Sequence, residues 1–132
     1  MYDIRKSDIP EALKPYFGYN FNYGTWKGDT CPSEEAKSFL RKFGNYLRKC
    51  FGRDRVSVSK NNYYELSAVV SSGNGKFVFI SISDIRYWQD QWATNILYRT
   101  MAHEKDWTGG ANHYTDIVNL KEDVMRLMKG GV

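Results

Sequence analysis

The chain reads as an α+β domain. It predicts an antiparallel sheet of three to four strands, packed by one long helix in the N-terminal half and a second helix at the C-terminal end. Three patterns carry this. Ala36, Phe39, Leu40, Phe43, Leu47, Cys50 and Phe51 recur at three- and four-residue steps, a single apolar stripe on a long helix. The segments 55–60, 63–72 and 76–83 read as strands separated by Asn61-Asn62 and by Gly73-Asn74-Gly75, two short turns that make an antiparallel meander. Leu120, Val124, Leu127 and Met128 form a second, shorter helical stripe.

Residues 1–32 read as an irregular arm laid over this domain, with no linker or repeat dividing the 132 residues. A short helix is expected from Pro10 to Lys14, ended by Pro15. Phe17, Tyr19, Phe21 and Tyr23 then alternate at a period of two, which puts the rings on one face of an extended segment. Ser33 opens the long helix, Glu34 and Glu35 suit its positive end, and Gly52 closes it. In the third strand Val78, Ile80 and Ile82 share one face and Phe77 and Phe79 the other. Ser83 to Thr94 is a polar connection rich in tryptophan, with room for one helical turn, before a fourth strand over 95–102. The last helix begins near Thr115 or Asn119, where Asn119 and Glu122 have the spacing of a capping box. The expected core joins Phe39, Leu40, Phe43 and Leu47 to Val78, Ile80 and Ile82.

Composition bounds the function. A net charge of +4 and a pI near 9.0 permit an anionic partner without demanding one. No C-x-x-C pair is present, which excludes a zinc ribbon or a thioredoxin-like motif; Cys31 and Cys50 read as free thiols of a reducing compartment. Residues Met1 to Asp8 hold no apolar stretch of a signal peptide, and the longest apolar run, Phe77 to Ile80, is too short for a bilayer. A soluble, cytoplasmic protein with no membrane partner is expected.

Two surfaces stand out. On the long helix, Lys37, Arg41, Lys42, Arg48 and Lys49 lie off the apolar stripe, and Arg53 and Arg55 follow. Lys37, Arg41 and Arg48 are one and two turns apart and fall on one side, as a phosphate-binding stripe would require. The second surface is the loop after the fourth strand. From His103 to Tyr114 it gathers both histidines, a tryptophan, a tyrosine and a Gly-Gly pair. Arg99, His103, Lys105, Trp107, Asn112, His113 and Tyr114 offer donors, cations and flat rings, a mixture suited to base contacts or an interface hot spot. The loop is expected to be ordered by Trp107 packing at the sheet edge. Positive φ at Gly109 or Gly110 would turn Asn112 and His113 back toward Arg99 and Lys105.

Catalytic patterns are scarce. There is no P-loop, G-x-S-x-G or G-x-G-x-x-G. His103, Glu104, Asp106 and His113 are the one metal-like cluster, but their spacing is not that of H-E-x-x-H. No cofactor is implied, and a metal-dependent hydrolase ranks below a binding function.

The segment Leu97-Tyr98-Arg99-Thr100, with His103-Glu104-Lys105-Asp106-Trp107-Thr108-Gly109-Gly110 and Asn112 after it, resembles small proteins of phages and mobile elements in Gram-positive bacteria. The resemblance covers about a sixth of the chain and implies a setting rather than a mechanism. Such proteins act in the bacterial cytoplasm without catalysis, binding nucleic acid or blocking a host defence complex as anti-CRISPR proteins do.

The resulting expectation is a non-enzymatic binding protein for nucleic acid or a nucleoprotein complex. Lys37, Arg41, Arg48 and Arg53 would supply electrostatics and the Arg99–Tyr114 surface would supply stacking. The alternative is an inhibitor of a host defence protein, or a homo-oligomer, with the Tyr19–Tyr23 arm and Trp88 and Trp92 at the interface.

Overall fold

A computed structural model describes residues 4–18, 33–59, 65–71, 76–83, 85, 91–101 and 111–128. The architecture is α+β. Two short 3-10 turns, Lys6–Asp8 and Glu11–Tyr16, lead to helix α1 (Ser33–Phe51) and a further 3-10 turn, Arg53–Arg55. Strands β1 (Val56–Ser59), β2 (Leu66–Ser71) and β3 (Phe77–Ile82) follow. A one-turn helix α2 (Gln91–Thr94), strand β4 (Ile96–Met101), strand β5 (His113–Thr115) and helix α3 (Leu120–Met128) complete the order. The sheet has five strands in the sequential order β1-β2-β3-β4-β5, every pair antiparallel.

Register fixes which side chains share a face. Ala68 stands opposite Ile80, and Ile80 opposite Tyr98, so these and their alternate neighbours Leu66, Val70, Val78, Ile82 and Ile96 form the inner face. α1 lies over β1 and β2, and α3 over β3 and β4, on that same face. Phe39, Leu40, Phe43 and Leu47 are fully buried and join Val78, Ile80 and Ile82 in one core, as the two apolar stripes require.

The fifth strand lies inside the stretch that reads as a loop. Its three residues are too few for a period to show; it exists because Ile96, Leu97 and Tyr98 offer an edge that Thr115, Tyr114 and His113 complete. The N-terminal turn runs through Pro15 to Tyr16 rather than stopping before the proline, with the ring inside a 3-10 segment. Ile9, Leu13 and Tyr16 pack from it onto the core, Tyr16 meeting Phe39 edge-on at 5.3 Å.

Trp92 departs furthest from expectation. The alternative reading puts it at an interface as an aromatic hot spot, but it is 1% exposed. Its indole stacks obliquely on Phe39 at 5.0 Å and meets Phe43 and Phe17 edge-on at 6.4 and 6.2 Å. One turn of helix suffices to point it inward, and its Nε1–H has no hydrogen-bond acceptor among the described residues. Trp92 is therefore an anchor of the core and not an interface residue. Trp88, the Tyr19–Tyr23 arm, Cys31 and the Asn61-Asn62 and Gly73-Asn74-Gly75 turns lie outside the described residues. Among the described residues no helix is long and apolar enough to cross a membrane.

The start of α3 also differs in detail. Asn119 does not accept in a capping box; its own backbone N–H and side-chain amide both donate to Asp116, at 2.9 and 3.0 Å. Asp116 thus holds the turn that launches α3. Thr115 Oγ1 donates to Asp123 at 2.6 Å, tying α3 to the edge strand.

Phe43 touches both Phe39 and Trp92 beneath α1. Phe43→Ala is expected to cost about 3–5 kcal/mol in a chemical-denaturation melt. A loss below about 1 kcal/mol would contradict its placement at the centre of the core.

Candidate functional site: the outer face of helix α1

α1 exists because its apolar residues recur at the helical period, and its outer face follows from the same geometry. Once Ala36, Phe39, Leu40, Phe43 and Leu47 point at the sheet, Lys37, Arg41, Asn45 and Lys49 form an exposed ridge at successive four-residue steps. Arg48 and Lys42 flank it, half-buried. The helix ends where Gly52, at φ +102°, donates to the Arg48 carbonyl at 2.8 Å, and the exposed Arg53 projects beyond that end.

The ridge has an internal order. Asn45 is its one uncharged member, and the four positions that adjoin it on a helix surface are Arg41, Lys42, Arg48 and Lys49. Arg48 Nη1 donates to Asn45 Oδ1 at 3.2 Å, which orients the amide. Lys42 Nζ sits 5.5 Å from the centre of the Tyr16 ring, a cation held against an aromatic face. Among the described residues no carboxylate pairs with any of these four cations, in contrast to Lys14 with Glu11 and Arg126 with Glu122 and Asp123. Between positions 36 and 55 the sequence holds seven basic residues and a single acidic one, Asp54. Of the expected residues, the structure thus brings Lys37, Arg41 and Arg48 together and sets Arg53 after them. Lys42 and Lys49, read on the same helix face in the sequence, complete the surface with Asn45, which sequence reasoning passed over although its four-residue spacing from Arg41 and Lys49 places it there.

The second expected surface divides. Arg99 lies opposite Phe79 on the face of the sheet turned away from the helices, 6% exposed, with its guanidinium 4.8 Å from the Phe79 ring centre. His113 lies on the helix face instead, its ring 5.3 Å from that of Tyr98. The two side chains expected to converge are therefore on opposite sides of the sheet, because Tyr98 and Arg99 are consecutive in one strand. Tyr114 shares the Arg99 side and is 60% exposed; Asn112 is exposed ahead of β5. His103, Lys105 and Trp107, with the Gly109-Gly110 pair, lie outside the described residues. Among the described residues no group of three or more His, Cys, Asp or Glu side chains is gathered as a metal site would require.

Three titrating groups are held in their neutral forms. Burial pushes the Tyr46 phenol above its ordinary value, and the neighbouring Cys50 adds to the shift. Burial likewise raises the free thiol of Cys50, against the opposing effects of the Tyr46 hydrogen bond and of Lys121 and Lys49. Tyr98 is raised by burial and by the Asp123 carboxylate, with Arg126 opposing. A thiol kept protonated is a poor nucleophile.

No protein-family model, curated protein or solved structure matches this chain.

Two measurements follow from these placements. Arg99→Ala removes a buried stem and its packing against Phe79, and a denaturant melt is expected to show a loss of about 1–3 kcal/mol. A raised folded-state pKa gives stability that is complete below the unfolded value and lost as pH rises through the folded one. For Cys50, Tyr46 and Tyr98 all three shifts are upward. Stability is therefore expected to be flat up to about pH 8.5 from these groups and to fall through pH 10 and above. Equal stability at pH 7 and pH 10.5 would contradict their burial.

Proposed function

We propose that this chain is a non-enzymatic binding protein that holds nucleic acid through the outer face of α1. The observation that carries the reading is the ring of four cations around Asn45, none of them paired with a carboxylate among the described residues. Cations concentrated on one rigid element raise the local potential and attract a polyanion. Arginine adds the forked donors that fit phosphate oxygens. Lys37 extends the ridge at one end and Arg53 at the other, so several phosphates can be engaged at once. The setting implied by the resemblance of the Leu97–Asn112 segment, a phage or mobile-element protein acting on nucleic acid or nucleoprotein in a bacterial host, belongs to the same proposal.

Fluorescence anisotropy with a labelled oligonucleotide, titrated with salt, tests it. The logarithm of affinity is expected to fall linearly with the logarithm of salt concentration. Replacing Arg41, Arg48 and Lys49 by glutamine should reduce that slope by about 0.9 for each phosphate of duplex DNA that the variant no longer neutralises. Arg41 and Lys49 are exposed and Arg48 is half-buried beside them, so the melting temperature should fall only slightly. Absence of binding at low salt, or binding that the triple variant retains in full, would overturn the reading. An acidic protein surface, such as a host defence complex presents, would then be the remaining polyanion for the same face.

A further inference from the structure

The arrangement around Asn45 says more than that the face is basic, and we infer that α1 enters the major groove of double-stranded DNA with Asn45 facing the base edges. This rests on the reading of α1 as a nucleic-acid surface and names which nucleic acid fits it. Going round the helix at about 100° per residue, Arg48 and Arg41 lie to one side of Asn45 and Lys49 and Lys42 to the other. The two sides are about 80–120° apart, so cationic tips extended to about 9 Å from the axis would stand roughly 12–16 Å from each other. The major groove of B-DNA is about 12 Å wide, with phosphates along both rims. Cations on the two sides can therefore reach phosphates of both strands while the centre of the ridge faces the floor.

The centre is an amide, and an amide suits that floor. A carbonyl oxygen that accepts and an NH₂ that donates match the exocyclic amine and N7 of adenine. Arg48 uses one lone pair of Asn45 Oδ1 and sets the orientation; a second lone pair and both N–H groups are left for a base. The exposed ridge from Lys37 to Lys49 runs about 18 Å along the axis, enough to follow one groove passage.

Other nucleic acids fit worse. Single strands are held in grooves lined with rings on which bases stack. Among the described residues, Tyr46 is the aromatic residue that adjoins Asn45 in the helix, and it is half-buried and hydrogen-bonded to Cys50. Duplex RNA has a major groove too deep and narrow for side chains on a helix to read.

The experiment compares duplex DNA, duplex RNA and single-stranded DNA of one sequence, then selects preferred sites from randomised duplexes with the wild-type chain and with Asn45→Ala. Duplex DNA is expected to bind tightest. The wild-type selection should show a position favouring adenine by about tenfold. Asn45→Ala should lose that preference and keep the salt slope, whereas Arg41→Gln should lower the slope and keep the preference. If none of the three nucleic acids binds, the reading of α1 as a nucleic-acid surface falls with the inference. If single-stranded DNA or duplex RNA binds as tightly as duplex DNA, the groove assignment alone is overturned. The same holds if the wild-type chain shows no preference, or if Asn45→Ala retains it.

Discussion

The interlock of Phe39, Phe43 and Trp92 is the packing on which the remaining structure depends. These rings lie within 5.0–6.4 Å of one another at oblique or edge-on angles, in the part of the core that joins α1 to the segment before β4. Rings in such arrangements add directional attraction to the large apolar area that each buries. Their union fixes the rotation of α1 about its own axis. A helix has one way to bury a stripe of this width, so the residues opposite have one way to face water. Arg41, Asn45 and Lys49 are therefore presented outward by the demands of the core, whatever binds to them.

The ends of the sheet are held by different means. At the α1 side the seam is apolar: Gly44 faces Val58 of β1, where even an added β-carbon would stand in ordinary van der Waals contact at 3.5 Å. At the α3 side, the ties are polar: Thr115 to Asp123 across the strand–helix seam, and Asp116 to Asn119 in the turn. Both lie where backbone and hydroxyl groups are withdrawn from water and need partners. β5 is short, but these bonds anchor it, and with it the Tyr98–His113 ring pair.

Charge is distributed to match. The Arg126 guanidinium on α3 is engaged by Glu122 and Asp123, while the cations at the middle of α1 meet an amide and an aromatic ring. Ion pairs on an exposed face contribute little to stability. A face built around Asn45 in place of carboxylates consequently costs the fold little and leaves its positive potential available to a partner. Stability is thus drawn from the inner side of the helix, and the proposed binding would use the outer side.

Much of this was legible in the sequence. The three- and four-residue recurrence from Ala36 to Phe51 determined α1 from Ser33 to Phe51, and the alternation in 76–83 determined which residues of β3 enter the core. Local periodicity suffices there because each segment is long enough to show its period. The basic ridge on α1 was legible for the same reason. What only the tertiary structure decided depends on partners distant in the chain. β5 is three residues long and becomes a strand through β4; Trp92 lies in a polar stretch and becomes core through Phe39 and Phe43. Arg99 and His113 differ in face because strand pairing at Phe79–Arg99 and Tyr98–His113 sets the register, and sequence spacing alone cannot supply that.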